Sequence, residues 1–294
     1  MTSLASLRRR LRRPQLRSFV LTGLACLVAA QQTLLAVEPR TACTSNECRQ
    51  DAVNNLPLEQ LDAGDRMLVQ HVLNNTSIYR RVPTQVIDCD PHLYLFLVQN
   101  PEVIVQLWRV MGLSKVSLDR TGENTFRAAD GEGTVCNLKM MHASHDKHLV
   151  FATGSYNGPL LRNPVQARVV LFLRSSTIRE TNGRQYVTCK LDAFIHLERG
   201  GLELLARAFQ SLLGRSADMN FAETMGFVSS LSRTAEVNPE GTGRIARRLN
   251  IDQAAREQFA ALAEQVAEQA SNAAELRRVQ HEAIEPPVAP IPRR

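Results

Sequence analysis

From residue 115 to residue 198 the chain repeats with a period of two. The segments ENTFRAAD, GTVCNLKMM, KHLVFATGSY, VQARVVLFLRS and GRQYVTCKLDAFIHLE are separated by Gly, Asp, Asn or Pro signals. Successive strands joined by short punctuated turns pair as antiparallel neighbours, because parallel pairing needs a long crossover. Val165, Ala167, Val169, Leu171 and Leu173 line one side of their strand. Val187, Cys189, Leu191, Ala193 and Ile195 do the same in the next, with TIRETNGR as the turn between them. The opposite sides mix polar residues with Phe172, Phe194 and Tyr186. One strongly apolar sheet face must be covered by another layer.

The cover lies downstream. GGLELLARAFQSLLG places Leu202, Leu205, Phe209 and Leu212 on one helical stripe, and MNFAETMGFVSSLSR adds Phe221, Met225, Val228 and Leu231. The expected class is therefore α+β, a curved antiparallel sheet packed against a long C-terminal helix with extra helices after it. Upstream, DPHLYLFLVQNPEVIVQLWRVMG carries two helix starts, Asp90 before Pro91 and Asn100 before Pro101. Ile104, Leu107, Trp108 and Met111 form an apolar stripe that ends at Gly112. SIYRRVPTQVIDCD holds a strand over residues 82–87, and Leu68, Val69, Val72 and Leu73 mark a short amphipathic helix before it. Residues 37–56 read as loosely structured.

Strand, two short helices, antiparallel strands and a substantial helix make an order that resembles the helix-grip fold of START-like domains, which include lipid-transfer and polyketide-cyclase-like proteins. The phrase Asn100-Pro101-Glu102 followed by Leu107-Trp108 is similar to the helix region of that superfamily, with the helix over residues 201–213 as its partner. The likeness covers residues 82–233. It implies a cavity between sheet and long helix that holds a lipid or other hydrophobic molecule. Trp108, Phe151, Phe172, Phe194 and Phe209 are the aromatic candidates for its lining, unless they simply fill the core. Arg168 and Arg174, on the less apolar strand face, are placed to steady an anionic headgroup, unless they serve surface solubility alone.

The N-terminus reads as an address. Arg8, Arg9, Arg10, Arg12, Arg13 and Arg17 precede an apolar run over residues 19–30, a basic flank, short hydrophobic stretch and small residues in the order of a secretory signal. Leu34-Leu35-Ala36 precedes the expected cut, leaving Val37 first; a retained membrane anchor and a cytosolic basic arm are the alternatives. Those six arginines account for the whole formal charge of +6. The remainder is neutral and gives no case for a nucleic-acid partner. The expected units are the signal (1–36), an N-terminal extension with a short helix (37–80), the START-like domain (81–234), a helical extension (235–285) and a Pro-rich disordered tail (286–294).

In an oxidising compartment Cys43 and Cys48 can staple the N-terminal extension. Cys89, Cys136 and Cys189 either include one bridge or are buried small hydrophobes. Phe259, Leu262, Val266, Ala273 and Leu276 give residues 252–285 a stripe for self-association, or for lying on the chain's own domain.

Catalytic patterns are scarce. His142, His145 and His148 cluster with Asp146 and are zinc-binding residue types, but a strand–turn–strand unit keeps three ligands from converging, and an exposed polar turn is the plainer reading. GSYNG places its serine second and is no nucleophile elbow. DGEGT and PEGTG are tight turns rather than phosphate loops. No catalytic residue, metal or cofactor is assigned. The expected function is an exported, periplasmic or extracellular binding or carrier protein for a hydrophobic small molecule or lipid, with contact to a membrane surface. A ligand-free interaction module, or a cyclase- or hydrolase-type enzyme, are the alternatives.

Overall fold

Among the described residues eight antiparallel strands form the sheet, six of them in the period-two region and two before it. A computed structural model describes residues 41–157, 164–181, 183–198 and 202–284, and within the last stretch the side chains of 217–275. Helix α1 (Asn46–Asn55), a short 3-10 turn (Leu58–Gln60) and α2 (Ala63–Asn74) come first. Strands β1 (Ile78–Arg81) and β2 (Gln85–Asp88) lead into helices α3 (Pro91–Gln99) and α4 (Pro101–Val110). Strands β3 (Ser117–Gly122), β4 (Thr125–Ala129), β5 (Thr134–Ala143), β6 (Lys147–Tyr156), β7 (Val165–Arg179) and β8 (Gln185–Leu197) follow. The described chain ends with α5 (Leu202–Val237), α6 (Pro239–Ala246) and α7 (Gln253–Ile284). Strand order is β1-β8-β7-β6-β5-β4-β3, with β2 also on β8. This is an α+β, helix-grip-like architecture.

Both faces of the sheet are covered. On the inner face Leu171, Val187, Cys189 and Leu191 pack with Leu93 and Leu97 of α3, Ile104 and Leu107 of α4, and Phe221, Met225 and Val228 of α5. Phe259, Ala263 and Val266 of α7 close this layer from outside, with Phe259 stacked on Phe96 at 5.9 Å between ring centroids. On the outer face Tyr79, Leu149, Phe151, Val170, Phe172 and Phe194 pack under Ala52 of α1 and Val69, Val72 and Leu73 of α2. The result is three layers, with the sheet in the middle.

Four local readings are revised. Residues 46–55 form a helix, not a loose segment: the Ser45 hydroxyl caps it by accepting from Cys48 N, and Ala52 anchors it to the outer face. The strand expected at 82–87 is two strands, β1 and β2. Val82 N still donates to Leu191 O at 3.1 Å, but Pro83 has no amide to continue the ladder. Asn100 gives α4 no side-chain cap; its Nδ2 donates back to Phe96 O, its Oδ1 accepts from Arg120, and Pro101 alone marks the first turn. The two apolar stripes of the C-terminal region run through one 36-residue helix, α5.

Asp90 does cap α3, its Oδ1 accepting from His92 N at 2.9 Å and Leu93 N at 3.0 Å. Asp90→Ala is expected to lower stability by about 1 kcal/mol in urea denaturation, the usual cost of losing such a cap. An unchanged midpoint would mean that Pro91 and packing suffice.

Candidate functional site

The outer face of the sheet holds two features, a buried charge network and a groove. Residues 172, 174, 192 and 194 and Tyr79 and Arg81 share this face, because side chains alternate along each strand and the register sets Phe172 beside Asp192, and Tyr79 beside Phe194. Asp192 is wholly buried. Its Oδ1 accepts from Tyr79 Oη and Arg81 Nε, both at 2.7 Å, and its Oδ2 from Arg174 Nη2 at 3.0 Å. Asp51, reaching down from α1, accepts from Arg81 Nη2 at 2.6 Å and Arg174 Nη2 at 2.9 Å. Two guanidinium groups thus face two carboxylates. The hydrogen bond from Arg174 holds the Asp51 carboxyl below its usual range, and burial beside Asp192 raises the Tyr79 phenol. Arg174 also lies over the Phe172 ring. With its guanidinium shared between buried Asp192 and half-exposed Asp51, Arg174 joins α1 to the sheet.

The groove runs between α2 and strands β6 and β7. Its volume is about 450 Å³, and Leu68, Phe151, Thr153, Gly154, Gln166, Ala167, Arg168 and Glu198 line it. Phe151 and Ala167 belong to the packed sheet. Leu68 is 38% exposed and its neighbour Met67 69% exposed, so α2 offers apolar side chains beside the opening. Arg168 donates from Nε to Glu198 Oε1 at 2.9 Å at the rim.

The aromatic candidates are therefore divided. Phe151, Phe172 and Phe194 lie on the outer face; Phe172 and Phe194 are fully buried beneath α1 and α2, and Phe151 floors the groove. Trp108 is on the inner side, packed edge-on against Phe227 of α5 at 5.8 Å. The Phe209 side chain lies outside the described residues, as do the expected signal and the Pro-rich tail. Beside Phe227, a void of about 30 Å³ between α4, α5 and α6 is lined by Leu107, Met111, Leu231, Thr234, Thr242 and Ile245. That is about the volume share of one water.

The histidines separate as well. A bulge between Met140 and His142 sets His142 opposite Leu149 and Ala143 opposite His148. His148 is 1% exposed, and neither ring nitrogen has a hydrogen-bond partner. Burial pushes its pKa down to about 4; the nearby His142 acts in the same direction and Asp146 against it. His145 stands exposed in the turn, 3.6 Å from Asp146. Among the described residues no three His, Cys, Asp or Glu side chains converge as a metal site.

Cys43 and Cys48 are disulfide-bonded, and Cys43 pairs with Arg81 through the backbone. Cys89, Cys136 and Cys189 carry thiols, and burial raises each of them, Cys136 and Cys189 to about 11. They stay protonated near neutral pH, which leaves them poor nucleophiles. Glu223 on α5 has a buried Oε1 without a partner, and burial raises its carboxyl to about 7. Among the described residues no helix is long and apolar enough to cross a membrane.

Sequence reasoning passed over Asp192, Asp51, Tyr79 and Arg81, and the groove residues Leu68, Gln166 and Glu198. One signal was present: Asp192 interrupts the run LDAFI inside a strand rich in apolar residues on both sides, and an acid there needs a cationic partner.

No family model matches the chain, and no curated protein matches it. Among solved structures it is similar to a conserved protein from Geobacillus kaustophilus, at 8% identity over 50% of this chain and 93% of that one, with a TM-score of 0.38. It is also similar to Ara h 8.0201, at 12% identity over 52% of this chain and 99% of that one, TM-score 0.33. A third likeness is to apo dicamba monooxygenase, at 13% identity over 71% of this chain and 60% of that one, TM-score 0.30. These likenesses are loose, and the helix-grip-like arrangement stands on the chain's own strand order and helix placement.

Proposed function

We propose that the chain is a non-catalytic binding or carrier protein for a hydrophobic or amphipathic small molecule held in the groove between α2 and strands β6 and β7. The observation that carries this reading is the groove itself. Its volume of about 450 Å³ falls in the range of small-molecule sites, roughly 300–1,000 Å³, and it joins apolar walls to a few polar groups at the rim. The inner layer, by contrast, is packed with side chains from α3, α4, α5 and α7. The same reading has the chain exported through its first 36 residues, with the Cys43–Cys48 bond suited to an oxidising compartment. Exposed Met67 and Leu68 would then meet a membrane surface from which a ligand enters.

The test uses the full chain, secreted through an oxidising compartment and purified without detergent. Native mass spectrometry is expected to find about one small-molecule adduct per chain, recoverable by organic extraction. Thr153 is exposed on β6 and faces the groove, so Thr153→Trp fills the space with a residue that strands accept. The variant is expected to keep its denaturation midpoint and to lose the adduct. A folded protein that neither carries an adduct nor takes up an apolar fluorescent probe would overturn the proposal. Uptake that Thr153→Trp leaves unchanged would do the same.

A further inference from the structure

The rim of the groove has a charge pattern that distinguishes between head groups. Among the described residues that line the groove, Arg168 is the one cation and Glu198 the one anion. A single hydrogen bond joins them, from Arg168 Nε to Glu198 Oε1. A guanidinium has five N–H donors and a carboxylate two acceptor oxygens. The pair therefore leaves Nη1 and Nη2 of Arg168, and Oε2 of Glu198, with no partner among the described residues. Both side chains are about one-third exposed, 36% and 34%, so these unused groups meet the groove and solvent rather than the core.

The backbone beneath the pair is fixed. Arg168 sits opposite His196 in the β7–β8 ladder, and Glu198 N donates to Gln166 O at 2.9 Å. Phe151 and Leu68 continue from the charged rim as an apolar wall. One end of the groove is thus dipolar, the rest apolar.

The pair is neutral as a unit, and this decides what fits. An anionic head group gains Arg168 but meets Glu198, and a cationic one gains Glu198 but meets Arg168. Unlike either, a zwitterionic head group sets its anion on the Nη1/Nη2 edge and its cation against Oε2, leaving the existing bond intact. Like-charge contact is a strong source of discrimination in a partly desolvated site. We infer that the groove takes a single-chain amphiphile with a zwitterionic head group, its tail along Phe151 and Leu68 and its head on Arg168 and Glu198. This inference rests on the groove being the ligand site, as proposed above.

Isothermal titration calorimetry on the full chain separates the two ideas. The probes share one tail: dodecylphosphocholine, dodecyl phosphate and dodecyltrimethylammonium, each kept below its micelle concentration. The wild-type protein is expected to bind the zwitterion about tenfold more tightly than either singly charged probe, one good charge-assisted contact. Glu198→Gln should move the preference to the phosphate and Arg168→Gln to the ammonium, each weakening the zwitterion about tenfold. Thr153→Trp should remove binding of all three.

Equal affinity for the three probes, still lost in Thr153→Trp, would overturn the head-group inference and leave the groove intact. A wild-type preference for either singly charged probe would overturn it too. Binding of none, or binding that Thr153→Trp does not touch, would overturn the groove reading itself.

Discussion

Replacing Asp192 with asparagine is expected to lower the stability of the fold by about 3–5 kcal/mol, the usual effect of removing one partner from a buried charge pair. Asp192 is fully buried, and it accepts from Tyr79, Arg81 and Arg174. Its amide would leave two guanidinium groups beside each other with only Asp51 to balance them. Those arginines cannot shed their charge by deprotonating, because guanidinium stays protonated at any accessible pH. The expected loss is a large fraction of the roughly 5–15 kcal/mol that holds an ordinary domain together.

Asp51 gives the control. Its side chain is 45% exposed, so solvent replaces much of what Asp51→Asn removes, and the cost there should be about 1 kcal/mol or less. Guanidinium denaturation of both variants reads the contrast directly. A cost near 1 kcal/mol for Asp192→Asn would mean that water reaches the cluster and that α1 does not seal it.

The second large effect is a loss of stability on acidification, centred on His148. Its imidazole is buried and unpartnered, with a pKa pushed down to about 4. An unfolded chain gives the same group a pKa of about 6.5. Between those values the unfolded state binds a proton that the folded state refuses, so stability falls as pH falls. The contribution is complete above pH ~6.5 and gone by about pH 4, a loss of about 3 kcal/mol.

Other groups act in or near this window. His142, lowered by burial, adds to the loss, whereas Glu223, raised to about 7, works the other way as the pH drops from there. Asp51 and Asp146, held low by their hydrogen-bond partners, lose their contributions only at more acid pH. The comparison of wild type with His148→Leu removes these shared contributions. The variant is expected to be at least as stable at pH 7 and to lose about 3 kcal/mol less between pH 7 and pH 4. Two stability curves that stay parallel over that range would show that the folded protein accommodates the charged imidazole.

Much of the architecture was legible because its rules are local. Alternation sets strands, Pro91 and Pro101 start helices, and Asp90 caps one of them. The helix at 46–55 escapes a sequence reading because NECRQDAVNN is polar on most sides and is held by its one buried alanine, Ala52, and by arginines remote in sequence, Arg81 and Arg174. The division of the aromatics was missed for a related reason. Alternation already sets Phe172 and Phe194 on the strand side opposite Leu171 and Leu191, away from the long helix, but nothing in either strand says that α1 and α2 cover that side. A hint was available in VVLFL of β7, whose unbroken apolar run is the pattern of a strand buried on both sides.

The candidate site was only half legible. Phe151 and Arg168 were singled out and both line the groove, but Leu68, Gln166 and Glu198 reach it from α2 and from the far ends of β7 and β8. Five of the six central strands, the antiparallel pairing and the helices on either side are written in the sequence by itself, since each depends on periodicity and punctuation within a few residues; β3, Ser117–Gly122, is polar at most positions and carries no such mark. Tertiary structure alone decided what covers the side that Phe172 and Phe194 share, which arginine is neutralised by Asp192 and which stands at an open rim. Those outcomes depend on register and on contacts between residues more than a hundred positions apart, such as Arg81 with Asp192, where burial and charge balance outweigh any local preference.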